Sequence, residues 1–290
     1  MLWRLNCFLR KLPDSEVTIE TDDNNKALIK CEKAKFNIAG KDGEDFVALP
    51  EIEKTHFITL SQFSLKEIIR QTIFSISDNE SNRMMSGELL QIDLDGQRIS
   101  IRKISLKESY DPIKAVIPGK TLNEISKILS GDMDDDVRIY FTDRHVLFEF
   151  DQTVVVSRLL EGEYFQIDKM ISSDYNTKIT INKKELQGCI ERASLLIRES
   201  ERKPIIINVT DGSMEMKIQS AMGSMNEDID ISKEGRDIMI GFNPKFILDA
   251  LRVIDDEEIT MYLVNPKAPF IIKNDEQSYI YLVLPISFNM

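Results

Sequence analysis

Two histidines, three cysteines and two short acidic runs are the residues of this chain best placed to do chemistry. His56 and His145 stand in unrelated contexts, neither at a metal-ligand spacing nor beside a serine elbow, so both read as surface or satisfied structural residues. Cys7, Cys31 and Cys189 are odd in number and far apart. They make neither a disulfide framework nor a zinc pattern, and free thiols suit a reducing cytoplasm. The run Asp132, Asp134, Asp135, Asp136 offers carboxylates to a divalent metal, and metal-assisted phosphoryl transfer would be its chemistry. It lacks the glycine and the closing glutamate of a calcium loop. A second acidic run, Asp255–Glu258, occupies the same helix-to-strand position in a repeated pattern. A solvated turn is therefore the better reading, and a metal-dependent DNA-processing enzyme is the alternative. Neither G-x-G-x-x-G nor G-x-x-x-x-G-K-[ST] occurs, so no cofactor and no resident metal are expected.

The elements that would position such residues recur. Residues 246–288 give an amphipathic run, an acidic turn and three strands; residues 122–167 and 5–46 give the same order. Leu12, Leu129 and Ile254 close the three helical runs, about 120 residues apart. Strand–cap–helix phrases also begin near Phe57, Val116, Lys178 and Ile238, about 60 apart. The elementary unit is one helix on a small antiparallel sheet, and two units make a domain. The fold class is α+β, built of repeated helix-on-antiparallel-sheet half-units. The expected domains are 1–50 (the second half of a domain only), 51–172 and 173–290, with Gly40, Gly43 and Pro50 marking the first boundary.

Helix starts are read from capping chemistry. Ser64 with Glu67, and Thr121 with Glu124, have the spacing of capping boxes. Asn182 is expected to cap a third helix, and Asn243 a fourth with Pro244 in its first turn. Gly87–Leu106 reads as strand, turn, strand. The stretch before Leu12 lacks the small-residue cleavage site of a secretory leader. No apolar run reaches the roughly 20 residues of a membrane span.

Charge is unevenly distributed. The whole chain carries a formal −12, which argues against nucleic acid. The five helical runs (2–12, 64–72, 120–129, 183–199 and 245–254) nevertheless sum to +7, leaving −19 elsewhere. Equivalent helices in a repeat protein share a surface, so one basic face is expected with an acidic exterior. Lys66, Arg70, Lys120, Lys127, Arg192, Arg198 and Arg252 are the candidates for weak, sequence-independent contact with the phosphates of duplex DNA.

These stretches also carry a resemblance. KLPDSEVTIET with KFNIAG, then IPGKTLNEISKIL, SRLLEGEYF, TKITINKKEL and YIYLVLPISF occur in an order and spacing similar to those of the bacterial DNA polymerase III β subunit, the sliding clamp. The resemblance covers nearly the whole chain from about Leu9. It implies the DNA-clamp fold: three similar domains per chain, two chains closing head to tail around duplex DNA, helices inside and sheets outside. The function it implies is that of a processivity factor of the replicative polymerase, non-catalytic and cytoplasmic. Three departures stand out. The first half of domain one is missing, about eight residues are lost between Gly87 and Asp95, and the family's D-G-H-R reads Asp95-Gly96-Gln97-Arg98.

The resemblance also implies partners. Polymerase and clamp-loader subunits would dock short peptides carrying Leu and Phe into a pocket of Met85, Gly96, Arg98, Ile99, Met170, Ile171, Leu284, Pro285 and Ile286. Phe36 and Ile38 on one chain would meet Leu195 and Leu196 on the other in a homodimer ring. The family's ring has twelve half-units, whereas two copies of this chain supply ten. Residues 1–50 are accordingly expected to be the least stable part and the dimer weaker than the family's. A truncated copy that closes no ring is the further alternative.

Overall fold

The computed structural model describes residues 11–42, 44, 49–76, 83–92, 100–104, 106, 108–162, 164, 174–198 and 203–288. The chain forms two compact units, Met1–Glu51 and Ile52–Met290. In the first, β1 (Val17–Thr21), β2 (Lys26–Cys31) and β3 (Ala34–Ala39) make an antiparallel meander. Asp22 organises its first turn, its carboxylate accepting from the backbone N–H groups of Asn24 and Lys26. Only Ile29 and Cys31 are buried hydrophobics among the described residues of this unit. The helical run expected at 2–12 lies almost wholly outside the described residues.

The second unit contains two repeats. The first holds β4 (Phe57–Ser61), α1 (Gln62–Thr72), β5 (Gly87–Ile92), β6 (Ser100–Arg102), β7 (Ile113–Pro118), α2 (Gly119–Ile128), β8 (Asp136–Phe141), β9 (His145–Phe150) and β10 (Thr153–Arg158). The second opens with β11 (Thr177–Asn182), α3 (Lys183–Ser194), β12 (Ile205–Thr210) and β13 (Ser213–Ser220). It continues through β14 (Gly223–Asp230), β15 (Ser232–Gly235), β16 (Ile238–Phe242), α4 (Pro244–Val253), β17 (Glu258–Leu263), β18 (Phe270–Lys273) and β19 (Tyr279–Val283). Each repeat buries its own core. Leu65 and Ile69 of α1 and Leu122 and Ile125 of α2 pack with Ile139 and Phe148. Leu186 and Ile190 of α3 and Ile247 and Leu251 of α4 pack with Ile207, Met216 and Phe270. The apolar spacing on each helix is the three-and-four step that puts one stripe on the sheet.

The caps at Asn182 and Asn243 form as read: each side chain accepts from the backbone N–H two residues on. Both capping boxes are corrected. The first helix begins a turn earlier, with Ser61 as its cap accepting from Ser64 N at 3.2 Å, and Glu67 instead grips Arg70. The second begins at Gly119 directly after Pro118 and has no side-chain cap. Thr121 shares a 2.8 Å hydrogen bond with Ser157, and Glu124 binds Lys127. In both cases the preceding strand runs straight into the helix, so the hydroxyl three residues inside is no longer at the terminus.

The expected hairpin over Gly87–Leu106 is corrected too. β5 pairs with β7, whereas β6 lies antiparallel to β19 with Ile101 opposite Ile280. Ile101 gains burial there against Ile271 and Ile280 on the other repeat's sheet. That sheet runs β15-β11-β17-β18-β19-β6. The equivalent sheets of the two repeats differ in width: β5-β7 in the first against β14-β13-β12-β16 in the second. Gly87 sits at a tight point of the narrow sheet, where a Cβ would lie 2.5 Å from Leu160 Cδ1 and 2.9 Å from the Ile117 carbonyl. Among the described residues no helix is long and apolar enough to cross a membrane.

Candidate nucleic-acid interface and peptide pocket

The four helices pair as α1 with α2 and α3 with α4, and α1 also touches α4 across the repeats. Beside it, the end of α1 makes polar contacts with the turn after α4 and with β19. Arg70 reaches Asp255 at 3.5 Å, Gln71 Nε2 donates to the same carboxylate at 3.4 Å, and the Tyr281 hydroxyl donates to the Gln71 carbonyl at 3.2 Å. Burial pushes the Tyr281 phenol well above its ordinary range. It remains a donor at any working pH.

The two acidic turns have a structural task. Gln62 N donates to the Asp135 carbonyl at 2.7 Å and Phe63 N to the Asp132 carbonyl at 3.1 Å. Lys183 N donates to the Glu257 carbonyl at 2.8 Å. Each turn thus satisfies orphan N–H groups at the start of the first helix of its repeat through its backbone carbonyls. Among the described residues no cluster of three or more potential ligands could hold a metal ion. The His56 carbonyl accepts from the Phe141 N–H, and His145 pairs through its backbone with Thr142, in keeping with structural positions.

The seven cations proposed to face phosphate divide by partner. Lys66 Nζ donates to the Leu129 carbonyl at 2.9 Å, closing the C-terminal end of α2, and Lys183 does the same to Ile254 beyond α4 at 2.5 Å. Arg70 is held by Glu67, Lys127 by Glu124 and Arg192 by Glu227. Arg252 lies 3.8 Å from Asp249 and 4.0 Å from Glu191. Lys120 and Arg198 are exposed with no ion pair among the described residues. Arg198 stands four residues beyond the end of α3 and is not on a helix.

Of the pocket residues, Gly96, Arg98, Ile99, Met170 and Ile171 lie outside the described residues. Met85 falls in a 3₁₀ turn over Arg83–Ser86. Leu284, Pro285 and Ile286 follow β19 in a tail tied to β16 by a 2.7 Å bond from Ile286 N to the Gly241 carbonyl. Leu284 is 55 % exposed. Beside the tail opens a groove of about 630 Å³, which Ile286 and Phe288 line together with residues of β16 and of the turns near Arg236 and Lys267. The sequence reading missed this groove, because its walls come from segments some 20 to 60 residues apart. For the dimer, Phe36 and Ile38 share one half-buried face of β3. Leu195 is 75 % exposed at the end of α3, with Leu196 half-buried beside it.

Two buried groups have no place in any of these sites. The Cys189 thiol lies 3.4 Å from Met216 sulfur, and burial pushes its pKa up to about 12, which makes it inert. Glu88, on the inward face of β5 beside Leu90, has its carboxyl buried and its Oε1 without a hydrogen-bond partner among the described residues. A glutamate inside the apolar strand GELLQI was the signal that could have singled it out.

Comparison with known proteins agrees with this architecture. Residues 59–166 match the model of the DNA polymerase III beta subunit central domain, and residues 168–287 that of its C-terminal domain. The chain is 34 % identical over 289 residues to the beta sliding clamp of Staphylococcus epidermidis, covering 96 % of this chain and 76 % of that protein. A crystal structure of a DNA polymerase III beta subunit from Eubacterium rectale superposes with a TM-score of 0.92 at 60 % identity, over 99 % of this chain and 80 % of that one. The DNA polymerase sliding clamp of Bacillus subtilis superposes with a TM-score of 0.91 at 32 % identity, over 99 % and 79 %.

Proposed function

Because the chain belongs to the bacterial DNA polymerase III β subunit family and is a DNA sliding clamp, a processivity factor, we propose that it tethers its polymerase to duplex DNA without a catalytic site of its own. The observation that carries this reading is the repeated arrangement of four paired helices bearing Arg70, Lys120, Lys127, Arg192 and Arg252 on a layer backed by antiparallel sheets. Such a layer offers phosphates many weak contacts and no base-edge readout, which suits a protein that must slide. Four of these five cations already have carboxylate partners, so they would meet phosphate by exchange. Surface ion pairs are worth about 0–1 kcal/mol each and give way readily.

On the same reading the chain works in the cytoplasm as three units, 1–50, 51–172 and 173–290. Polymerase and clamp-loader subunits dock peptides at the tail of Leu284, Pro285 and Ile286, with Met85, Gly96, Arg98, Ile99, Met170 and Ile171 completing the pocket. The homodimer contact uses Phe36, Ile38, Leu195 and Leu196. The acidic turns are accounted for by helix capping, which leaves the nuclease alternative without a supporting feature. Loading onto nicked circular DNA by a clamp loader tests the function directly. The loaded protein should stay on the circle through gel filtration and leave when the DNA is linearised. Equal retention on linear and circular DNA would mean that affinity, not topology, holds it.

A further inference from the structure

The groove beside the tail has a feature that an apolar peptide pocket does not need. Its walls are apolar, formed by Ile238, Met239, Val264 and Phe288, yet Arg236 and Lys267 also line it. Both are exposed, and neither makes an ion pair among the described residues. The one carboxylate in the lining, Asp237, is bound by Lys233. Two cations with no ion pair among the described residues therefore face a groove whose one lining carboxylate is already paired.

Both cations are carried on fixed backbone. Arg236 N donates to the Asn176 carbonyl at 3.0 Å, and its own carbonyl accepts from the Thr177 hydroxyl at 2.7 Å. The preceding Gly235, at φ +96°, makes this possible, since a Cβ there would lie 2.0 Å from the Asn176 oxygen. Lys267 N donates to the Asn265 side chain at 2.9 Å, and Asn176 Nδ2 ties the adjacent strand end to the Val264 carbonyl at 2.7 Å. Ile286 in the groove lining follows directly in the chain on Leu284 and Pro285, which the proposed peptide pocket uses.

We propose that this groove receives an acidic, extended segment flanking the apolar anchor of a docking peptide, with Arg236 and Lys267 pairing its carboxylates. This rests on the reading of the tail as a peptide site and adds the chemical class of the flank. The chain's formal charge of −12 works against any acidic ligand at long range, so a gain from acidic residues must come from a local site.

The test titrates fluorescent QLSLF peptides carrying either Asp-Glu-Asp-Glu or Gly-Ser-Gly-Ser at one end or the other. The proteins are the wild-type chain and an Arg236→Ser, Lys267→Ser variant. At low salt the acidic version of one flank should bind wild type roughly 5- to 30-fold tighter than its neutral counterpart. The double variant should lose that gain while keeping the neutral peptide's affinity within about twofold, which also shows that it is folded. Equal binding of acidic and neutral peptides to wild type overturns the proposal, as does an acidic gain that survives in the double variant. If neutral-flank QLSLF does not bind at all, the peptide-site reading itself fails and this inference falls with it.

Discussion

Glu88 should make the stability of this protein depend on pH in a way that a single substitution removes. The Thr72 hydroxyl has one proton, and it lies 2.7 Å from the Ile68 carbonyl, which can only accept. The same hydroxyl oxygen lies 3.1 Å from Glu88 Oε2. With the Thr72 proton committed to Ile68, that second contact is favourable when Glu88 is a neutral acid and donates. Burial acts in the same direction and raises the carboxyl to about 7, and no charged neighbour among the described residues acts on it. The elements packed around β5 carry Lys66, Glu67 and Arg70 on α1, Lys120, Glu124 and Lys127 on α2, and Lys114 on β7, and none of these shifts it. An unfolded glutamate titrates near 4.3. Below about pH 4.3 both states hold the proton and Glu88 costs nothing. Between there and about pH 7 the unfolded chain alone ionises, and stability falls by about 1.4 kcal/mol per pH unit. Above about pH 7 the penalty levels off at roughly 3.7 kcal/mol. Urea denaturation of wild type and Glu88→Gln at pH 5 and pH 8 reads this directly, because other titrating groups cancel in the difference. Wild type should lose about 2.5 to 3 kcal/mol relative to the variant between those two values. Parallel profiles, agreeing within about 0.5 kcal/mol at both, would refute the assignment of a neutral buried acid.

Three further outcomes are expected. Lys66→Met and Lys183→Met should each destabilise by about 1 kcal/mol, since each strands a helix-end carbonyl, and chemical denaturation measures it; no change would show those carbonyls to be solvated. Lys120→Ala and Arg198→Ala should each lower the slope of log K against log salt for duplex DNA by about 0.9, whatever the sequence of the DNA. Hydrogen exchange in Val17–Ala39 should be faster than in Thr177–Val283, because the first unit buries only Ile29 and Cys31 among its described hydrophobics; equal protection would show that unit to be supported by more than its own core.

Periodicity made the architecture legible, and local geometry did not follow from it. The two asparagine caps and the apolar stripes of all four described helices could be read because each depends on residues about one turn apart, and the repeat because the same phrases recur at a fixed spacing. The serine and threonine boxes failed because capping depends on where the strand hands over to the helix. Sequence spacing alone cannot distinguish Ser61 from Ser64. The pairing of β6 failed for a different reason: its partner β19 lies almost 180 residues away, and only burial of Ile101 beside Ile280 selects it. The candidate DNA face was legible as a charge asymmetry. Its internal compensation was not, because the Arg192–Glu227 pair joins a helix to a strand, although Glu67 and Arg70, or Glu124 and Lys127, do stand three apart in the chain.

That compensation bears on how a tether could move. A ring that holds DNA by enclosure gains nothing from tight phosphate contacts, and each strong contact would raise the barrier to sliding. On the proposed reading, Arg70, Lys127, Arg192 and Arg252 each approach DNA already paired with a carboxylate, so each phosphate contact displaces an existing one of similar strength. The net gain per contact is then small, and the energy surface along the duplex is correspondingly flat. Lys66 goes further: it is committed to the Leu129 carbonyl, and Lys183 to Ile254 in the equivalent place of the next repeat. A lysine on the first helix of each repeat, though at a different position in each, thus serves the equivalent helix end first, and the basic character of the helix layer is in part a by-product of closing helix ends. This explains how a chain of formal charge −12 can carry a net positive helix layer while leaving few of its cations free.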